Sequence, residues 1–210
     1  MLAVRGMARI GLLGGSVNPA HIGHRRVSLA ALAALGLDEV WWLVSPGNPL
    51  KPADGMAPYE ARLESARRMA RRSAIKVSDF EVQAGTRYTV DTLEALGKRF
   101  PQHRFIWLMG EDSVAQFHQW KGWRRLAGQV PIAVISRPGY DDEARAARAM
   151  GWLRWFVHPA STARNWTAWR APAITFLRLP PDPTSATRLR ARNPEWHRRL
   201  LSKGRDGDPS

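Results

Sequence analysis

The chain has 210 residues, enough for one domain with a sizeable core and no need of a disulfide or metal staple. It contains no cysteine, which excludes disulfide frameworks, thiolate metal sites and cysteine nucleophiles, and its 44% hydrophobic and 24% charged residues exclude wholesale disorder. Lys and Arg number 32 against 18 Asp and Glu, a formal charge of +14 that favours anionic partners, although a general bias towards arginine gives the same balance. No stretch approaches the ~20 apolar residues of a membrane span. The opening Met1 to Arg9 is too short and broken for a secretory signal, so a cytoplasmic protein is expected, with Met7 as a second candidate start.

The predicted elements alternate. Arg9 to Leu13 reads as a buried strand closed by a turn at Gly14-Gly15, and His24 to Leu35 as a helix stopped by Gly36. Val40 to Val44 is a second strand, cut off by the loop Ser45-Pro46-Gly47-Asn48-Pro49. Pro58 to Arg72 reads as a helix with Leu63, Ala66, Met69 and Ala70 on one face, and Ile75 to Val82 alternates with the period of a strand. A helix follows from Thr89 to Arg99, then an apolar strand over Phe105 to Met109. Pro131 to Ser136 is a further strand, closed by Arg137-Pro138-Gly139, Asp141 to Met150 a short helix, and Ala173 to Leu177 a late strand. Ser185 to Arg192 predicts a final helix, continued by Pro194 to Leu201, before a polar tail from Ser202 to Ser210. Apolar strands alternating with helices predict an α/β fold: a doubly wound, mostly parallel sheet with helices on both faces, in a single domain over 1–201. The Trp-rich segment from Trp152 to Trp169 fits a packed insertion, a lid or a subunit contact.

In such a sheet ligands sit beyond the carboxyl ends of the strands. The segment Gly14-Gly15-Ser16-Val17-Asn18-Pro19-Ala20-His21-Ile22-Gly23-His24 lies at such an end. Its glycines allow close backbone approach to a ligand, and two histidines three apart fall at the start of a helix, beside free N–H groups and the positive end of the dipole. That is a phosphate site with two extra donors. The plainer alternatives are a tight turn and a capping or surface histidine. A zinc pair also suits the spacing, but no third ligand stands out, and no metal site is expected. The patterns G-x-x-x-x-G-K-[ST] and G-x-G-x-x-G are absent.

Gly15 to His24 resembles the G-[ST]-F-[DN]-P-x-H-x-G-H loop of the nucleotidyltransferase superfamily, with Val17 in place of the usual Phe. Four more segments align in order: Ser45-Pro46-Gly47-Asn48-Pro49-Leu50-Lys51; Arg87-Tyr88-Thr89-Val90-Asp91-Thr92-Leu93, where Arg87 replaces a common Ser; Gly110-Glu111-Asp112-Ser113 with Trp120; and Ser185-Ala186-Thr187-Arg188-Leu189-Arg190. Together they resemble the bacterial nicotinate-nucleotide adenylyltransferases over nearly the whole chain. A class I aminoacyl-tRNA synthetase, which shares the HIGH tetrapeptide, is disfavoured by length and by the missing K-M-S-K-S segment.

The resemblance implies a Rossmann-like fold and a reaction joining nicotinate mononucleotide to ATP with release of pyrophosphate, Mg²⁺ accompanying the ATP. His21, His24 and Arg190 are the implied catalytic residues. Gly14, Gly15, Ser16, Gly110, Asp112 and Ser185 join them around ATP, the last holding the triphosphate with Arg190. Asn18, Lys51, Thr89, Val90, Trp120 and Lys121 are implied for nicotinate mononucleotide, with the Trp120 indole as a platform for the pyridine ring. Asp112 as a helix cap, Trp120 as a core residue and the last helix as a basic surface are the plainer readings. The rivals are another small nucleotidyltransferase, adenylating phosphopantetheine or nicotinamide mononucleotide, and a basic nucleic-acid binder using clusters such as Arg67, Arg68, Arg71 and Arg72. No stripe of interleaved aromatics accompanies those arginines, so small-molecule substrates are expected rather than nucleic acid or membrane. The oligomeric state is not legible.

Overall fold

The apolar runs of the sequence become six strands of one sheet: β1 Arg9–Gly15, β2 Glu39–Val44, β3 Ile75–Ser78, β4 Arg104–Gly110, β5 Ile132–Ser136 and β6 Ile174–Arg178. The computed structural model describes residues 6–47, 55–136, 146–178, 186–198 and 200. Lys51 with its neighbours from Asn48, the Arg137-Pro138-Gly139 turn, most of the helix expected over Asp141 to Met150, Ser185 and the tail from Ser202 lie outside the described residues.

The strands run in the order β3-β2-β1-β4-β5-β6, and every pairing is parallel. The helices are α1 Ile22–Leu35, α2 Tyr59–Ala70, α3 Phe80–Gln83, α4 Thr89–Arg99, α5 Glu111–Gln116, α6 Trp123–Ala127, α7 Met150–Leu153 and α8 Ala186–Arg192. Alternation along each strand feeds two cores. In β4, Phe105, Trp107 and Met109 join one cluster, while Ile106 and Leu108 join the other. Each such buried side chain contributes roughly 1.5–3 kcal/mol. Helices therefore cover both faces, as the continuous apolar strands require.

The chain leaves β1 for β2 on one side and later returns to β4 on the other. The crevice of this doubly wound order lies between the carboxyl ends of β1 and β4, at Gly15 and Gly110. Among the described residues no helix is long and apolar enough to cross a membrane.

Three expectations need correction. Gly14 and Gly15 do not turn the chain but extend β1, where Gly14 gives room to the Trp107 ring. The strand expected to reach Val82 stops at Ser78, whose Oγ accepts the Phe80 N–H at 3.1 Å; this local turn starts α3. The helix expected from Pro194 begins late: residues 194–197 are turns with i→i+3 bonds, such as Arg198 N–H to the Glu195 carbonyl, because the residue before a proline resists helical backbone, and Arg198 and Leu200 are helical. The Trp-rich segment is packed. Trp166 is buried and its Nε1 donates to the Leu35 carbonyl at 3.1 Å, Trp169 stacks on His158, and only Trp155 is largely exposed.

Candidate active site

The loop after β1 is tied down from several directions. A Cβ at Gly14 would lie 2.5 Å from Trp107 Cη2, whereas one at Gly15 would meet nothing within 4 Å. Gly14 serves packing, and the open space belongs to Gly15. Val17 follows with φ of +48°, a left-handed conformation that costs a β-branched residue about 1–3 kcal/mol and that its surroundings must hold. Asn18 supplies part of that hold: its Nδ2 donates to the Gly55 carbonyl at 2.9 Å, and its Oδ1 accepts the Ala57 N–H at 3.3 Å.

His21 is the N-cap of α1, with His24 one turn on, and their ring centroids lie 3.9 Å apart. The His21 backbone N–H donates to His24 Nδ1 at 3.3 Å. An imidazole that accepts at Nδ1 carries its proton on Nε2 when neutral, so the backbone selects the tautomer. Behind it, Trp42 sits 5.9 Å from the His24 ring, and Ser28 bridges the two by accepting from Trp42 Nε1 and donating to the His24 carbonyl. No acidic residue occupies the first turn of α1, so its positive end meets no carboxylate of its own turn.

Two arginines reach this loop. Arg190, on α8, donates from Nη1 to the Asn18 carbonyl at 2.6 Å and from Nη2 to Thr187 Oγ1 at 3.4 Å. Arg62, on α2, is 1% exposed and donates to four carbonyls: Ser16 and Ser45 at 2.7 Å each, Pro46 at 3.0 Å and Ala57 at 3.1 Å. Burial pulls its guanidinium below its ordinary value.

At the end of β4, Gly110 is the N-cap of α5, and a Cβ there would come within 2.6 Å of Asp112 Oδ1. Glycine lets that carboxylate lie over the strand end. Asp112 stands inside the first turn rather than at the cap position.

Tyr88 caps α4 and Thr89 opens it. Lys121 Nζ lies 4.2 Å from the Tyr88 ring centroid and 3.5 Å from Asp91 Oδ2. Gly122 takes a φ of +61°, and a Cβ on it would touch Val90 at 3.6 Å, so the two segments meet closely. Half-buried Trp120 packs edge-on against Trp107 and Phe117 at centroid distances of 6.3 and 5.5 Å. Glu81 is buried within hydrogen-bonding range of the Ser45 and Thr92 hydroxyls, and burial pushes its carboxyl up to about 7. Among the described residues no group of three His, Cys, Asp or Glu could hold a metal ion.

Residues 12–192 match the cytidylyltransferase-like family. A relative from Erythrobacter litoralis, named "Probable nicotinate-nucleotide adenylyltransferase", is 58% identical over 92% of this chain and 89% of its own length. One of the same name from Parvibaculum lavamentivorans is 53% identical over 88% and 92%. The chain belongs to the nicotinate-nucleotide adenylyltransferase branch of this family. Two solved structures of the nicotinic acid mononucleotide adenylyltransferase of Plasmodium falciparum, complexed with APC and with NaAD, share the fold. Their TM-scores are 0.62 and 0.64 at 16% identity, over 88% of this chain and 83% of theirs.

In this nucleotidyltransferase, Gly15, Ser16, Asn18, His21, His24 and Arg190 gather at the end of β1, and Gly110 and Asp112 at the end of β4. Val90 meets Gly122, Lys121 meets Tyr88 and Asp91 on either side of Thr89 and Val90, and Trp120 packs on Trp107. The Asn18 side chain is engaged with the 55–57 backbone. Arg87 lies exposed, 5.9 Å from the Tyr88 ring. The sequence reading overlooked Arg62 and Glu81. Arg62 could have been flagged, because Ala66 and Ala70 fall at i+4 and i+8 on its side of the helix.

Proposed function

We propose that the protein transfers the adenylyl group of MgATP to nicotinate mononucleotide, giving nicotinate adenine dinucleotide and pyrophosphate, as a cytoplasmic step of NAD biosynthesis. The observation that carries this reading is the close pair His21 and His24 at the positive end of α1, in the crevice beside Gly15, with Arg190 bonded into the same loop.

The acceptor's 5′-phosphate oxygen is ionised near neutral pH, so its attack on the α-phosphorus needs no general base. The P–O bond to the β-phosphate breaks as the new one forms, and charge gathers on the α-phosphoryl oxygens and the leaving pyrophosphate. The demand is positioning and charge stabilisation. His24, its proton on Nε2, supplies a donor to the α-phosphate; His21, the α1 N-terminus, Arg190 and Ser185 hold the triphosphate. Gly14, Gly15 and Ser16 shape the loop on which it lies. Gly110 and Asp112 take the adenylate ribose. Magnesium would come with ATP, held by phosphate oxygens and water, and would spread part of the phosphate charge.

Trp120 is the platform for the pyridine ring. Thr89, with N–H groups near Val90 and Lys121, meets the nicotinate carboxylate, and Asn18 and Lys51 complete the acceptor side. A site built for a full negative charge rejects the amide, which offers one neutral carbonyl. The test is pyrophosphate release from ATP and Mg²⁺ with nicotinate and nicotinamide mononucleotide in parallel. Strong preference for the acid is expected. Preference for the amide removes the acceptor pocket as described, and silence on both removes the reaction.

A further inference from the structure

The carbonyls that Arg62 binds belong to different loops. Ser16 lies after β1, within the segment that leads to His21 and His24, while Ser45 and Pro46 lie after β2. Glu81 lies within hydrogen-bonding range of both the Ser45 and the Thr92 hydroxyls, and Thr92 Oγ1 donates back to the Tyr88 carbonyl at the start of α4. Tyr59, whose ring centroid lies 5.2 Å from the Arg62 guanidinium carbon, adds a second tie to β2 alone by donating to the Val44 carbonyl at 3.2 Å. We propose that Arg62 is a positioning residue that fixes the loops after β1 and β2 against each other, so that one buried guanidinium sets the spacing between the ATP side and the acceptor side of the site. It touches neither substrate. The inference rests on the adenylyl-transfer reading for the naming of the two sides.

A rigid fork of five donors can serve four carbonyls on separate segments of the chain; an ammonium, with its donors on one atom, cannot reach them all. Stability alone would be served by any filling that satisfied those carbonyls. Misplacement of two reacting groups by about 1 Å costs up to about a hundredfold in rate. Arg62→Lys keeps the charge and much of the volume, and is measured below its own thermal midpoint, with turnover counted per folded molecule.

The expected result is cooperative unfolding together with a fall of about ten- to a hundredfold in kcat/KM for ATP and for nicotinate mononucleotide alike. Tyr59→Phe, which releases only the β2 end, raises the acceptor KM a few-fold and leaves that of ATP in place. Unchanged kcat/KM in Arg62→Lys, or a loss confined to one substrate, overturns the proposal. Should the wild type transfer no adenylyl group, the reaction assigned above falls. The two-sided clamp is then read from ATP and nicotinate mononucleotide titrated separately against tryptophan fluorescence: weakening of both by Arg62→Lys upholds it, and weakening of one or neither overturns it.

Discussion

A single backbone bond determines what His24 can do. The His21 N–H occupies Nδ1, so the neutral ring presents N–H, not a lone pair, at Nε2. His24→Ala removes that donor, and turnover should fall by on the order of 10²–10³, the usual loss of a charge-stabilising group. Steady-state rates within a few-fold of wild type would discard the role. Glu81 sets a second expectation at this scale. Its carboxyl is raised from 4.5 to about 7 by burial, so the folded chain holds a proton there that the unfolded chain releases. The contribution is fully present below the unfolded value and is lost as pH rises through the folded one, by roughly 3 kcal/mol in all. Glu81→Gln keeps the volume and cannot ionise. Thermal midpoints followed from about pH 5 to about pH 8 should converge at the acid end and separate at the alkaline end, the variant the more stable. Parallel curves would show that Glu81 is ionised throughout.

Among the elements, the turn between α5 and α6 bears the acceptor assignment. Trp120 sits against the edge of the core through Trp107 and Phe117, and Gly122 brings it to the start of α4. Stacking and cation–π attraction to a pyridinium are worth ~1–2 kcal/mol, so Trp120→Ala should weaken nicotinate mononucleotide about tenfold while ATP affinity stays. Equal titration curves for variant and wild type would return Trp120 to the core. What could be read from the sequence divides along the same line. The HxGH loop is contiguous, and the apolar strands carry their signal within five or six residues, so both were legible before any coordinates. Helices as short as α5, α6 and α7 span too few residues to show a period. Gly14 looked like a turn because its reason, the Trp107 ring, lies on another strand. Arg62 and Glu81 are defined by loops that follow separate strands, and no local pattern brings those loops together.

For the molecule as a whole, the six strands and both cores lie, among the described residues, within the chain up to Arg178, and none of the residues of α8 is buried. A chain ending at Arg178 should therefore unfold cooperatively, while the loss of Arg190 lowers turnover by at least about a hundredfold. Scanning calorimetry and the pyrophosphate assay decide the two halves separately. Loss of cooperativity would make the last segment part of the core, and retained turnover would remove Arg190 from the machinery.

The position of β1 in the middle of the sheet also bears on how the chain is born. Its register joins Arg9 to Arg104 on one edge, partners separated by about a hundred residues, a span that slows folding. A ribosome adding about 5–20 residues per second leaves that edge of β1 bare for seconds after its first helix has emerged. Until β4 follows, the growing polypeptide carries an open row of backbone donors and acceptors ending in the nucleotide loop, and the future catalytic crevice has only one of its two walls.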